Sequence, residues 1–189
     1  MAKLNIKKIR GLRWVRRFNF HQCNHYMSVA EHSYFVAVIG IKLSDIFRLD
    51  QWQRLDLIRL GLVHDMPECV TGDVPFLIRR HLGDIMQKLD EKAIDEIGCR
   101  IHSDSFIKKL IALADALELK MYLEEERKSG NVGVLLQIEA ETMRRICDIL
   151  DSIECTVSEY EQVLDMIEVV KEADLPVHLS HEGSSYDQG

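Results

Sequence analysis

The chain has 189 residues, 47% apolar and 29% charged, with three prolines and ten glycines. That is the make-up of one packed domain, and it excludes disordered, collagen-like and disulfide-scaffold proteins. Lys and Arg number 24 against 31 Asp and Glu, a formal charge of -7, so no nucleic-acid polymer is expected as a partner. No apolar run approaches the ~20 residues that span a bilayer, and the start Met1-Ala2-Lys3-Leu4-Asn5 lacks a signal-like stretch; no membrane partner and a cytoplasmic location follow as expectations. The cysteines Cys23, Cys69, Cys99, Cys147 and Cys155 are scattered without a C-x-x-C pair, which reads as reduced structural thiols.

Helical periodicity dominates and no strand-type alternation persists, so the fold class is all-α. Ser28 with Glu31 forms a capping box ahead of Val29, Val36, Ile39 and Leu43, predicting a helix over Val29–Ile46 with His32 in its first turn. Asp50 with Gln53 starts a second helix that ends at His64-Asp65, because Pro67 follows. Thr71-Gly72-Asp73-Val74-Pro75 carries turn chemistry. Amphipathic segments follow near Asp84–Ile97, Asp104–Lys128, Leu135–Leu150 and Ser158–Ala173, with Ser129-Gly130-Asn131 as a helix stop, for about six or seven helices in all. Residues 1–173 read as a single-domain helical bundle and 174–189 as a polar tail.

Three polar anomalies stand out against this apolar pattern. His64 and Asp65 leave the buried run Leu60-Gly61-Leu62-Val63; His32 lies on a helix that must pack inward; Asp115 has Ile111 and Leu119 as its helical neighbours at i-4 and i+4. Each is costly to bury without a partner or a metal. A lone histidine of this kind is more often a satisfied core residue, and His-Asp pairs arise often by chance. Together, however, two imidazoles and two carboxylates from separate helices form a mixed N/O set suited to one divalent transition metal, with Co²⁺, Mn²⁺, Zn²⁺ and Fe²⁺ all open.

The order His32, His64-Asp65, Asp115 resembles the HD-domain metal-dependent phosphohydrolases. Arg13-Trp14, Glu31-His32-Ser33, His64-Asp65-Met66-Pro67-Glu68 and Thr71-Gly72-Asp73-Val74-Pro75 look like the bacterial 5'-deoxynucleotidase group, and the resemblance spans residues 13 to about 125. Asp65 and Asp115 stand 50 positions apart, shorter than in the monophosphatases of that group and closer to the phage dATP triphosphohydrolases. The resemblance implies hydrolysis of a 2'-deoxynucleotide at the α-phosphate, with His32, His64, Asp65 and Asp115 as metal ligands. dATP, giving deoxyadenosine and triphosphate, is the favoured substrate, with Mg²⁺ accompanying a triphosphate; dNMPs giving deoxynucleoside and phosphate are the alternative.

By the same resemblance Glu68 acts as general acid/base, although a solvated glutamate at a helix start would look the same. Asp73 contacts the sugar and supports catalysis, Arg13 reaches phosphate, and Trp14 packs beside the sugar where a ribose 2'-hydroxyl would sit; without the resemblance Trp14 would be core. Arg16, Arg17, Arg79 and Arg80 offer guanidinium forks for phosphate oxygens, Arg79 and Arg80 beside the loop that ends at Pro75. Phe18-Asn19-Phe20-His21-Gln22, with Phe20 foremost, offers aromatic and amide groups to a base. The remaining histidines, His25, His81, His102, His178 and His181, read as surface residues. Family members form dimers or assemblies of dimers, so a homo-oligomer is implied. Two other readings stand beside hydrolysis: a nucleotide-binding HD module without catalysis, and a helical interaction protein whose polar residues merely pair.

Overall fold

Reciprocal capping starts the two helices that frame the candidate site. In the computed structural model, which describes residues 4–100, 102–131 and 135–172, Ser28 Oγ accepts from the Glu31 amide while Glu31 accepts from the Ser28 amide, opening α2 (Val29–Ile46). Asp50 and Gln53 do the same for α3 (Gln51–Val63), with His64 as its C-cap. Short elements precede and separate these: α1 (Ile6–Ile9) and a 3₁₀ turn (Arg10–Trp14) before α2, then α4 (Glu68–Thr71) and α5 (Phe76–Leu82) after α3. They span seven residues or fewer, too short for a 3.6-residue period to declare itself, and so went unread in the sequence. Gly72 takes φ +72° between α4 and α5, the left-handed turn expected of the Thr-Gly-Asp loop.

The later helices fall where the apolar spacing puts them: α6 (Asp84–Ile97), α7 (Ser105–Lys128), α8 (Leu135–Ser152) and α9 (Val157–Glu172). Asp104 caps α7 through Ile107 N–H. The fold is all-α; among the described residues the sole β pairing is an isolated bridge between Arg16 and Ser28. Val36, Ile39 and Leu43 of α2, Leu57 of α3, Leu110, Leu113 and Leu117 of α7, Ile146 and Leu150 of α8, and Val163 and Ile167 of α9 form one core. Leaving these side chains in water would cost roughly 1.5–3 kcal/mol each, which is what holds the bundle together. The expected tail 174–189, with His178 and His181, lies outside the described residues. No helix among the described residues is long and apolar enough to cross a membrane.

Between the 3₁₀ turn and α2 the chain makes an excursion over residues 15–28 that carries Arg16, Arg17 and Phe20 of the expected phosphate and base groups. Its neck is closed by Arg17 N–H on Met27 O (2.9 Å) and Val29 N–H on Val15 O (2.9 Å). Its tip is strapped to the end of α7, where buried Glu126 accepts from the amides of Asn24 (2.8 Å) and His25 (2.6 Å) and from Asn131 Nδ2 (2.7 Å). Tyr122 donates its hydroxyl to His25 O and stacks on Phe18 at 5.2 Å. His25 is therefore not the surface residue expected: it is half-buried, with Nδ1 3.6 Å from Glu126, because the strap pulls the loop onto α7.

Candidate metal centre

Three helices, α2, the end of α3 and α7, converge at one end of the bundle. His32, fully buried in the first turn of α2, sets Nε2 3.3 Å from His64 Nε2, 3.3 Å from Asp65 Oδ2 and 3.2 Å from Asp115 Oδ1. His64 Nε2 is also 3.3 Å from Asp65 Oδ2. The other nitrogen of each ring is engaged: His32 Nδ1 lies 2.5 Å from Glu118 Oε2, and His64 Nδ1 2.9 Å from the carbonyl of Gly61. A proton on each Nδ1, donated to those oxygens, turns both Nε2 atoms toward the carboxylates, where His32 Nε2 holds a proton that a metal would replace. Such a convergence of ligand atoms calls for a cation.

The spacing fits one. Metal–ligand bonds of about 2.1 Å separate neighbouring ligands by about 3.0 Å in octahedral and about 3.4 Å in tetrahedral geometry, and the three separations from His32 Nε2 and that of His64 from Asp65 are 3.2–3.3 Å. Donor atoms of His32, His64 and Asp115 lie within 4.8 Å of one another. The carbonyl end of α3 also points here, adding the negative end of its dipole. The residues present thus fit a divalent metal held by imidazole and carboxylate.

Electrostatics follow from the same crowding. Burial and the Arg17 charge push the His32 imidazolium down, but hydrogen bonds to Asp115, Asp65 and Glu118 outweigh both and lift it to about 10. Burial would raise both aspartates; instead the His32 hydrogen bond and the Arg17 charge hold Asp115 well below the usual carboxylate range, and the His64 charge with the His32 hydrogen bond does so for Asp65. Glu68 goes the other way. Burial, reinforced by the charges of Asp65 and Asp73, lifts it to about 8. It is 6% exposed, with Oε2 buried and unpartnered, so the solvated-glutamate reading does not hold. Asp73 is raised by burial, while its Oδ2 accepts from the Phe18 amide at 3.0 Å.

The expected substrate residues distribute unevenly. Arg17, 14% exposed, donates Nη1 to Asp65 Oδ2 at 3.1 Å and sets Nη2 3.8 Å from Asp115 Oδ1. Arg13 lies over the Trp14 ring at 4.7 Å, and Trp14 is 76% exposed, which removes the core alternative for it. Phe20 is exposed; Pro75 is half-buried and caps α5. Arg16 stacks on Tyr26. Arg79 donates to Asp90 Oδ2 at 2.6 Å with Nη2 3.8 Å from Glu68 Oε1, while Arg80 is exposed. Two partners of the cluster escaped the sequence reading. Glu118 is three residues from Asp115, a spacing that puts both carboxylates on one helical face; Arg145 of α8, which donates Nη2 to Asp115 Oδ2 at 2.9 Å, has no local signal.

Residues 9–174 match the family model for the HD domain. The chain belongs to the HD domain family. This HD domain is 33% identical over 69 residues to the human (Homo sapiens) 5'-deoxynucleotidase HDDC2, a stretch that covers 36% of this chain and 30% of that protein's length. Its fold is similar to that of the cyanophage S-2L HD phosphohydrolase DatZ, solved bound to dA and one catalytic Zn²⁺ ion. The TM-score is 0.75 at 15% identity, over 92% of this chain and 100% of that one.

Proposed function

We propose that this HD domain is a metal-dependent hydrolase of 2'-deoxynucleotides that cleaves at the α-phosphate and releases the deoxynucleoside, with dATP as substrate and deoxyadenosine and triphosphate as products. The observation that carries the reading is the convergence of His64, Asp65 and Asp115 on His32 Nε2 at 3.2–3.3 Å, with a protonatable, buried Glu68 three residues beyond Asp65. The likeness of the fold to a phosphohydrolase solved with dA supports the adenine preference. The partial match to a 5'-deoxynucleotidase supports the second reading, dNMP hydrolysis to deoxynucleoside and phosphate, as does Arg79, whose guanidinium is committed to Asp90 rather than directed at a β- or γ-phosphate.

A divalent metal held by the four ligands supplies Lewis acidity toward a phosphoryl oxygen and acidity to the attacking water. The protein's own groups do the rest. Arg17, fixed between Asp65 and Asp115 by its strapped loop, brings a permanent positive charge to the centre where phosphate charge must be balanced. Glu68, buried three residues beyond Asp65 and raised by that burial, is the acid this reading assigns to the departing 5'-oxygen. Asp73, tethered to the Phe18 amide, joins the loop after α4 to the excursion that bears Arg17, and this reading assigns it to the sugar. Trp14 stands out from the surface with Arg13 over it, and this reading assigns the indole to the sugar and the guanidinium to phosphate.

The test is product analysis of Co²⁺- or Mn²⁺-loaded protein with dAMP, dATP, AMP, ATP and the other deoxynucleotides, following nucleoside, phosphate and tripolyphosphate separately. Deoxyadenosine with tripolyphosphate supports the first reading, and orthophosphate from dNMPs alone supports the second. Absence of product from every substrate would favour a nucleotide-binding module. Asp65→Ala is expected to lose metal and activity together; activity that survives without metal in that variant refutes the assignment.

A further inference from the structure

Helix α8 lies beyond the segments that carry the sequence resemblance, yet it delivers a charge to the metal centre. Asp115 divides its two oxygens: Oδ1 faces inward, 3.2 Å from His32 Nε2, while Oδ2 faces outward and accepts from Arg145 Nη2 at 2.9 Å. Arg17 lies on the inner oxygen at 3.8 Å, so the two arginines do not compete for the same atom. We infer that Arg145 is a positioning residue of the metal centre, holding Asp115 by its outer oxygen so that only the inner one is offered to the metal. The inference rests on the metal-dependent reading above.

The arrangement is rigid where it must be. Ile146, the next residue, and Leu150, one turn on, are fully buried in the core, and buried Thr142 bonds its hydroxyl to Ile138 O, so the backbone under Arg145 is fixed against α7. A carboxylate whose second oxygen is engaged by a guanidinium ligates through one atom, which leaves open a coordination position that a bidentate carboxylate would fill. That position is what a water or a phosphoryl oxygen needs. The Arg145 side chain is 44% exposed, so its replacement leaves the core intact.

The experiment compares wild type with Arg145→Met and Arg145→Lys, reading Co²⁺ affinity by chelator competition and coordination by the visible absorption of the bound ion. Arg145→Met is expected to weaken Co²⁺ binding about 10–100-fold and to lower the absorption intensity as Asp115 swings to bidentate ligation and the coordination number rises. Arg145→Lys restores part of the affinity. Wild-type affinity and an unchanged spectrum in Arg145→Met would overturn the inference alone and leave an ordinary surface ion pair. Failure of the wild type to bind Co²⁺ would overturn the metal-dependent reading and this inference with it.

Discussion

The sharpest test of how the centre is built is a residue that ligates nothing. Gly61 of α3 is where α2 and α3 come closest: a Cβ built there would lie 2.7 Å from Ala37 Cα, 3.0 Å from Ala37 N and 3.1 Å from Ala37 Cβ. Carbon atoms reach favourable contact only from about 3.5 Å, and backbone atoms cannot rotate away, so Gly61→Ala must part the helices by about 0.8 Å. Overpacking of this kind costs about 1–3 kcal/mol, against up to about 1 kcal/mol gained in helix propensity. The expected net loss is about 1–2 kcal/mol, read as a fall in Tm of about 2–8 °C in a chain of this length. The Gly61 carbonyl also orients His64 through Nδ1, so parting the helices stretches the 3.3 Å His32–His64 separation to about 4 Å, beyond the ~3.4 Å that bonds of about 2.1 Å can bridge in tetrahedral geometry. Metal affinity should then fall about 10–100-fold, as for other losses of ligand orientation. Gly40→Ala is the control in the same interface: its Cβ meets the Leu57 side chain at 3.4 Å and the Leu57 carbonyl oxygen no nearer than 4.0 Å, and should stay within about 1 kcal/mol of wild type. A Gly61→Ala protein with unchanged Tm and Co²⁺ affinity would refute the close-approach argument.

Glu68 sets a pH dependence with a defined sign. Because burial lifts its pKa from 4.5 to about 8, the folded state holds a proton that the unfolded state gives up, so its contribution to stability is full below pH 4.5 and is lost as pH rises through 8. Glu68→Gln, which cannot ionise, should therefore be more stable than wild type at pH 9 by on the order of 4 kcal/mol in EDTA-treated protein, and slower in hydrolysis by about 10²–10⁴-fold; parallel melting curves across pH 5–9 would refute the burial argument. Glu126→Gln leaves one of three donors facing an amide N–H instead of an oxygen, a loss of about 1–3 kcal/mol that should appear as a lower Tm and as new proteolysis within residues 18–25; an unaltered digestion pattern would mean that the strap is dispensable. If Trp14 excludes the 2'-hydroxyl, Trp14→Ala should narrow the kcat/KM ratio between dATP and ATP by up to about 100-fold, and an unchanged ratio moves that role to another residue.

What could be read in the sequence was whatever declares itself within one turn of helix. The capping pairs Ser28 with Glu31 and Asp50 with Gln53 name their own partners, so both helix starts were legible. His32, His64, Asp65 and Asp115 were legible as polar residues in apolar surroundings. Gly61, Arg145 and Glu126 were not, because nothing near them in the chain says what they meet: the Ala37 backbone, Asp115 at a distance of 30 residues, and an amide pair about 100 residues upstream. For Trp14 the residue type alone points the opposite way. Large and aromatic, it reads as core by default, and its 76% exposure is visible only once the 3₁₀ turn has placed it outside the bundle.

The two histidines meet for a reason of length. From His32 to the end of α2 at Ile46 the chain climbs 14 residues, about 21 Å, and from Gln51 to His64 it descends 13 residues, about 20 Å. The turn at residues 47–50 between them makes an antiparallel pair in which the start of α2 and the end of α3 fall at the same height. One residue more or fewer in α3 would rotate His64 by about 100° around its helix and shift it by about 1.5 Å, out of reach of His32. The capping box at Asp50 fixes where that count begins, and Gly61 fixes how near the two helices lie when it ends. The donor set is therefore a consequence of helix length and closest approach, and the residues that determine whether a metal fits include two that never touch it.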